Sequence, residues 1–378
     1  MVEWKKLGEI GEICMCKRIM KDQTSDNGDI PFYKIGTFGK KADAYISRNL
    51  FENYKTNFSY PKKGEILISA AGTIGRSVVF DGEDAYYQDS NIVWIANDEK
   101  TVTNRFLFYF YQIAEWKTDG GTIKRLYNYN LKNTKIPVPS LEEQNRIVGI
   151  LDTFMDSIEN LKQQISQRRK QYEHYRDQLL DLEGKEGVEI HSWGEFCEMI
   201  KGNGVQKADF VDEGVGCIHY GQIYTHYGSY TYETNKFVSK EVFEKARKAS
   251  KGDIIMTDTS ENVEDICKSV AWLGDNDIAV SNHALIIKHK QNPKFLSFST
   301  QTNSFFIQKR KVVIGVKVSG IKPDDLAEIK IYLPAIEEQN RIVSILDTFE
   351  ASIQNLEAQL SQREKQYEYY RNKLLTFE

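Results

Sequence analysis

The chain has 378 residues, a formal net charge of −4, 40% hydrophobic residues and 28% charged residues. This length favours two domains, and the composition is that of a soluble globular protein. The slightly negative net charge means that the chain as a whole is not one of the strongly basic proteins. The longest apolar runs are far shorter than the roughly 18 residues that cross a bilayer, and the N-terminus lacks the apolar stretch of a signal peptide, so we expect a cytoplasmic protein without membrane contact.

The first region, residues 1–135, consists of short apolar runs separated by turn residues. The runs EILISAAG, SVVFDG and IVWIAN are typical of strands, and a helix is predicted over 104–117. Gly72 and Gly75 lie between two of these strands, and no phosphate-loop pattern surrounds them, so they predict a tight turn. The fold class expected for this region is α/β, or α+β with a curved sheet.

Polar and aromatic residues of the first region are concentrated in the loops 33–41 and 120–130. Lysine and arginine bind phosphate oxygens, whereas asparagine, glutamine, histidine and arginine can read base edges in the major groove. The candidate DNA-contacting residues of this region are Lys34, Thr37, Lys40, Arg76, Lys124, Arg125, Tyr127 and Asn128. Such loops also occur on protein-binding surfaces, so composition alone leaves both interpretations open.

A segment that follows the first region occurs twice. Residues 136–180 and 331–375 are identical at 30 of 45 positions without a gap. After a short helix, residues 142–151 and its copy, the apolar steps alternate between four and three, which is typical of a coiled-coil seam. The seam positions are Phe154, Ile158, Leu161, Ile165, Arg168, Tyr172, Tyr175 and Leu179, and their equivalents 195 residues later. Each polar helix, about 45 Å long, needs a partner, and we expect the two copies to pack antiparallel.

Polar residues within the repeat have two possible roles. Arg168 and Arg363 interrupt the seam; either their side chains extend along it to solvent, or they fix its register. Core packing explains the apolar residues of EEQNRIV, but it does not explain the polar ones. We predict that they dock two copies of one partner, although recent duplication would also preserve them. The predicted docking residues are Glu143, Gln144, Arg146, Glu338, Gln339 and Arg341.

The second variable region, residues 188–330, matches the first only in outline, with Ser281-Asn282 paired to Ser90-Asn91 and a helix predicted over 293–307. Residues 141–183 and 336–378, which contain most of the repeats, carry a net charge of −6 and the remaining residues +2, which permits a phosphate-facing surface on the variable regions. The candidate DNA-contacting residues of this region are His219, Gln222, Tyr224, His226, Tyr227, Lys311 and Lys317.

Catalytic motifs are not evident in the chain. The cysteines show no metal-binding spacing, and no catalytic triad, zinc-protease or adenine-methyltransferase pattern occurs. The segment 323–330 imitates a nuclease motif, but its carboxylates are too close in sequence to surround a metal from two strands. We therefore expect a chain without enzymatic activity, metal or cofactor.

Two dissimilar regions, each followed by P-x-L/I-E-E-Q-x-R-I-V-x-I-L-D (139–152 and 334–347) and a heptad helix, resemble the specificity subunit of Type I restriction-modification enzymes. The resemblance implies target recognition domains at 1–139 and 184–334, and spacer helices at 140–183 and 335–378 that pack as an antiparallel coiled coil with pseudo-twofold symmetry. Each domain would bind half of a bipartite site in double-stranded DNA.

The same resemblance implies two kinds of protein partner. Two modification subunits, which carry the methyl donor, would dock on the repeats, and restriction subunits would join them. The alternative from another class is a coiled-coil adaptor that binds two protein ligands and no DNA.

Overall fold

The computed structural model describes residues 2–120, 124–315 and 319–377. These residues form two compact units: unit 1 comprises residues 1–163 and 357–378, and unit 2 comprises residues 164–356. Within the described ranges, no helix is both long enough and apolar enough to cross a membrane.

Unit 1 mixes strands and helices around a central sheet. Its sheets have the strand orders β2-β8-β5-β6, β4-β3-β7 and β1-β9. The elements in chain order are β1 (Glu3–Lys6), α1 (Leu7–Ile10), β2 (Gly11–Cys14), β3 (Ile30–Tyr33), β4 (Tyr45–Ile46), α2 (Arg48–Asn57), β5 (Ile66–Ser69), β6 (Ser77–Val79), β7 (Tyr86–Tyr87), β8 (Ile92–Asn97), α3 (Asn104–Tyr111), α4 (Asn128–Asn133), β9 (Lys135–Val138) and α5 (Leu141–Leu180).

The central sheet of unit 1 is covered on both faces. Alternate side chains of a strand point to opposite faces, so Ile66 and Ile68 enter the core beneath α3 and the long helices, whereas Leu67 and Trp94 enter the core beneath α2. Burial on both faces explains why β5 and β8 are continuously apolar. The expected tight turn joins β5 and β6, with positive φ angles of 64° at Gly72 and 82° at Gly75.

Unit 2 repeats this plan with additional strands. Its sheets have the strand orders β11-β21-β17-β19-β14, β12-β15-β13-β20-β16, β10-β23 and β18-β22. The elements are β10 (Val188–Ser192), α6 (Trp193–Phe196), β11 (Glu198–Lys201), β12 (Phe210–Val211), β13 (Val215–Ile218), α7 (Tyr220–Thr225), β14 (Tyr230–Thr231), β15 (Lys236–Val238), α8 (Lys240–Lys245), β16 (Lys248–Ala249), β17 (Ile254–Thr257), β18 (Thr259–Ser260), β19 (Ser269–Trp272), β20 (Ile278–Val280), β21 (Ala284–Lys288), α9 (Pro293–Ser299), α10 (Asn303–Val312), β22 (Ser319–Gly320), α11 (Pro323–Ala327), β23 (Lys330–Pro334) and α12 (Ile336–Leu375).

The long helices α5 and α12 each span 40 residues and include the EEQNRIV segment, which we had predicted as a separate short helix. In unit 1, Phe154 stacks on Tyr370 at 5.4 Å between ring centroids. In unit 2, Tyr175 stacks on Phe349 at 5.2 Å. Residues early in one helix thus meet residues late in the other, and the predicted antiparallel packing is confirmed.

The arginines of the seam lie on aromatic rings. The Arg168 guanidinium carbon is 5.9 Å from the centroid of Phe349, and that of Arg363 is 5.6 Å from the centroid of Phe154. Both arginines are half-buried. Each head group therefore contacts the opposite helix, which favours the interpretation that these arginines fix the register of the seam.

Candidate nucleic-acid interface

Several loops of unit 1 meet at one end of its central sheet. Arg76, in the turn after β5, donates a hydrogen bond from Nη1 to the carbonyl oxygen of Phe38 at 3.0 Å, which ties this turn to the loop 33–41. The amide of Leu126 donates to the carbonyl oxygen of Ala70 at 2.9 Å, which brings in the segment 124–130. The structure therefore brings together the loops that contain the candidate residues of this unit.

Within the loop 33–41, the candidate residues differ in exposure and partners. Lys34 forms an ion pair with Asp43 at 2.9 Å. The hydroxyl of Thr37 accepts a hydrogen bond from the Lys34 amide at 3.2 Å and shapes the turn. Lys40 is exposed at the end of this loop. Lys40 is therefore placed to reach a ligand, whereas Thr37 supports the backbone.

Neighbouring residues in the segment 124–130 also differ. Lys124 is exposed. Arg125 is half-buried, and its Nη2 donates to the carbonyl oxygen of Ser90 at 3.0 Å and to Oδ1 of Asn91 at 2.9 Å. Arg125 thus anchors the segment to the turn before β8. Its guanidinium is already used within the domain.

An exposed aromatic pair follows this segment. Tyr127 and Tyr129 stack with their ring centroids 6.0 Å apart and their planes inclined by 11°. Asn128, the first residue of α4, is also exposed. Flat exposed rings can stack on a base or pack on a sugar, so this pair complements the positive charge of Lys124. Tyr129 was in the predicted loop but not among the candidate residues.

In unit 2, the predicted residues 219–227 mainly hold their own loop together. His219 is only 6% exposed, and its Nδ1 accepts a hydrogen bond from the Gly221 amide at 3.2 Å. Burial lowers the pKa of His219, and the nearby Lys207 and His283 lower it further. These effects favour the neutral ring, which supports the start of α7 rather than an exposed surface.

The other residues of this loop have similar internal partners. The Tyr227 hydroxyl donates to Oδ1 of Asn235 at 3.0 Å, and the Gln222 side-chain amide donates to the same oxygen. Tyr224 donates its hydroxyl proton to the carbonyl oxygen of Thr259 at 2.7 Å. Polar residues that hold a loop together are of the same types as polar residues that face a ligand. The sequence pattern therefore did not distinguish the structural role from the binding role.

Exposed candidates in unit 2 are His226 and Lys311, whereas Lys317 lies outside the described residues. The structure adds His283, whose exposed ring lies beside β18, with Nδ1 3.2 Å from the Thr259 hydroxyl. The sequence alignment that matched Ser281-Asn282 to Ser90-Asn91 was wrong by one residue.

The corrected pairing follows from matching backbone hydrogen bonds. The amide of Ala70 donates to the carbonyl oxygen of Asn91 at 2.7 Å. The amide of Asp258 donates to the carbonyl oxygen of His283 at 3.2 Å. Ala70 and Asp258 each follow the matching strands β5 and β17 directly. His283 therefore occupies the position of Asn91, which weak sequence similarity between the two regions concealed.

The predicted docking residues of the repeats divide into two groups. Arg146 donates to both carboxylate oxygens of Glu143 at 2.7 and 2.6 Å, and Arg341 does the same to Glu338 at 2.7 Å. Hydrogen bonds from these arginines lower the pKa of Glu143 and of Glu338. Both pairs lie at the surface, one in each unit.

Gln144 and Gln339 have no exposed surface. Each binds within its own unit and offers nothing to an external partner, so the structure does not support them as docking residues. Their identity in the two repeats had suggested a surface role, but a buried amide that must satisfy its hydrogen bonds is equally constrained.

Two stretches of the chain, residues 1–168 and 185–364, match the family model described as Type I restriction modification DNA specificity domain. The chain belongs to this family. The predicted resemblance is confirmed, and the alternative of a protein-only adaptor is not favoured.

Relatives of this specificity-domain chain support the assignment. A Haemophilus influenzae protein named as a type I restriction enzyme specificity subunit is 62% identical over 182 residues, which are 47% of this chain and 47% of that protein. The match thus spans about half of that relative. The EcoR124I/EcoR124II specificity subunit of Escherichia coli is 27% identical over 100% of this chain and 94% of its own length.

A solved structure shares the fold. The Type I restriction-modification S subunit from M. genitalium has a TM-score of 0.58 at 15% sequence identity, and the match covers 100% of this chain and 97% of that one. At this identity the likeness supports the architecture, in which variable regions alternate with long helices.

Proposed function

We propose that this chain is the non-catalytic DNA-recognition subunit of a Type I restriction-modification complex, and that each variable region binds one half of a bipartite site in double-stranded DNA. The family match over both units carries this proposal. The two units share their strand plan and their long helices, but they differ in the loops at the sheet ends. Different loops on a common frame suit the reading of two different half-sites.

The proposed division of the chain follows the repeats. Residues 1–139 and 184–334 are the target recognition domains, and residues 140–183 and 335–378 are the spacer helices that set the gap between half-sites. The exposed residues proposed to contact DNA are Lys40, Lys124, Tyr127 and Asn128 in unit 1, and His226, His283 and Lys311 in unit 2. The other predicted residues within the described ranges act by shaping these loops.

Two modification subunits are the proposed partners of the repeats. The surface pairs Glu143–Arg146 and Glu338–Arg341 present the same charge arrangement once in each unit. Identical surfaces suit two copies of one partner. Restriction subunits would join this assembly in the cytoplasm, and the methyl donor would be bound by the modification subunits.

Methylome sequencing tests this proposal. Cells that express the chain with a cognate modification subunit should acquire a methylated-adenine motif made of two half-sites and a fixed gap. Cells that express the modification subunit alone are the control. An unchanged methylome in cells that contain the assembled, active complex would contradict the proposal and favour a role in binding proteins only.

A further inference from the structure

One buried glutamine of each repeat connects its long helix to the adjacent variable region. In unit 1, Oε1 of Gln144 accepts a hydrogen bond from the Thr103 amide at 2.9 Å. Its Nε2 donates to the carbonyl oxygens of Thr101 and Pro139, each at 2.9 Å. Thr103 caps the start of α3, and Pro139 follows β9. Gln144 thus joins three elements: α5, α3 and the end of β9.

Unit 2 makes the same connection with different residues. Oε1 of Gln339 accepts a hydrogen bond from the Asn292 amide at 3.0 Å, and its Nε2 donates to the carbonyl oxygen of Pro334 at 2.9 Å. Asn292 caps the start of α9. Because the glutamine binds the main-chain amide of the capping residue, the contact is kept although Thr103 and Asn292 differ.

An aspartate eight residues later provides a second contact. Asp152 accepts a hydrogen bond from Nε of Arg105 at 2.7 Å, and also one from the hydroxyl of Tyr109. Asp347 accepts hydrogen bonds from Nζ of Lys294 at 3.0 and 2.9 Å. Arg105 and Lys294 are the second residues of α3 and α9. Each variable region therefore presents a capping residue and a cation to the same two repeat residues.

These contacts restrain orientation in a way that apolar packing does not. Eight helical residues span about 12 Å, so the glutamine and the aspartate hold two separate points on the long helix. Apolar contact between Phe106 and the helix residues Ile147 and Leu151 belongs to one core, but apolar attraction is not directional. Hydrogen bonds depend steeply on angle. Two such contacts therefore limit both sliding and rotation of the variable region.

We propose that Gln144 and Asp152 in unit 1, and Gln339 and Asp347 in unit 2, are positioning residues for DNA recognition, which fix the angle at which each variable region is held on its long helix. This inference rests on the proposed function. A variable region that can rock on its helix reaches half-sites at neighbouring gaps. A region that is held at two points accepts one gap.

The test measures gap preference in the full chain assembled with its modification subunit. Duplexes carry the motif found by methylome sequencing, with the gap unchanged, one base pair longer or one base pair shorter. Wild type should prefer the unchanged gap. Gln144→Leu and Asp152→Asn should each reduce that preference about tenfold. Gln144→Leu leaves buried main-chain groups without a hydrogen-bond partner, and Asp152→Asn removes a hydrogen bond to a charged group; either loss has an effect of this size. Base preference within each half-site should stay the same.

Matched variants separate positioning from folding. Gln339→Leu and Asp347→Asn repeat the test in unit 2. Arg105→Asp alone should reduce the gap preference, because it removes the ion pair with Asp152. The double variant Arg105→Asp with Asp152→Arg restores the ion pair with the two charges exchanged and should recover the gap preference. Asp156→Asn, which changes an exposed aspartate four residues beyond Asp152 on the same helix, should have no effect.

Two other outcomes would be decisive. An equal loss of affinity for all three gaps, with a lower melting temperature and no recovery in the double variant, would show a role in folding only and would overturn the inference. A wild-type complex that binds none of the duplexes would instead contradict the proposed function. The two failures are therefore distinguishable.

Discussion

Lys124 and Arg125 are adjacent basic residues with different environments. The Lys124 side chain is exposed, whereas the Arg125 guanidinium binds the carbonyl oxygen of Ser90 and the side chain of Asn91. A basic pair in a polar loop gives no sign of this division, because it depends on which side chain faces the turn before β8. Substitution of the two residues should therefore have different effects.

Replacing Lys124 with alanine should weaken DNA binding by the assembled complex and reduce its salt dependence. Loss of one phosphate contact lowers the slope of log K against log salt by about 0.9. Binding measured between low and moderate salt checks this, and Lys100→Ala, an exposed lysine paired with Asp98, is the control. An unchanged slope would remove Lys124 from the interface.

Replacing Arg125 with alanine should destabilise unit 1. The change leaves the carbonyl oxygen of Ser90 and the side chain of Asn91 without a charged donor, which costs about 1–3 kcal/mol of the free energy of unfolding. Urea unfolding of wild type and variant measures this difference. The same experiment on Lys124→Ala should show no change, and equal stability of both variants would contradict the assigned anchor.

Acid should destabilise unit 2 through His219, which is buried, and His289, which is half-buried. Burial lowers the pKa of His289, and it also lowers that of His219. Below the ordinary histidine pKa of about 6.5, the unfolded chain binds protons that the folded chain excludes, so stability falls as the pH decreases. Unfolding midpoints at decreasing pH should fall less in His289→Gln than in wild type. Parallel curves would show that His289 does not contribute.

At the scale of elements, the coiled-coil seam depends on contacts between the two repeats. Arg168 in α5 lies on Phe349 in α12, and Arg363 in α12 lies on Phe154 in α5. Each repeat thus supplies an arginine for one contact and a phenylalanine for the other. An arginine on the seam would be costly if it faced apolar residues alone, whereas the ring face attracts it.

A double-mutant cycle tests the contact between Arg168 and Phe349. Arg168→Met and Phe349→Leu should each lower the free energy of unfolding, and the double variant should lose about 1 kcal/mol less than the sum of the two. Urea unfolding supplies the values, and Lys170→Ala, an exposed residue on the same helix, is the control. Additive effects would mean that the two side chains do not interact.

The long helices could be predicted from sequence because they follow a heptad periodicity, and the central strands could be predicted because they are continuous apolar runs. The predicted helix over 293–307 was less accurate. The chain forms α9 and α10 instead, and Thr302 caps the second helix by accepting a hydrogen bond from Phe305. A threonine inside an apolar helical pattern does not reveal whether it ends one helix or continues it.

At the scale of the whole molecule, the two variable regions should be separable in function. Exchanging residues 1–139 for the same region of a related specificity subunit should change one half of the methylated motif and leave the other half and the gap unchanged. Methylome sequencing of cells with the exchanged chain measures this outcome. A change in both halves would contradict independent reading by the two regions.

The domain plan was predictable because the duplicated segment marks it, but the recognition surface was not. His219 and Tyr227 are residue types that often bind ligands, yet the fold buries them. Gln144 is a residue type that is usually found at the surface, yet it lies beneath α3. The composition identifies which loops are polar. Only the folded structure shows which polar groups already have hydrogen-bond partners within the chain.

The contact between Gln144 and the Thr103 amide has a consequence for inheritance. Because any capping residue except proline offers a main-chain N–H, a recombination event that replaces a variable region brings its own partner for the glutamine. No compensating mutation in the repeat is then needed for this contact. A lineage can therefore acquire a new target sequence in a single genetic step, while the rest of the chain is passed on unaltered.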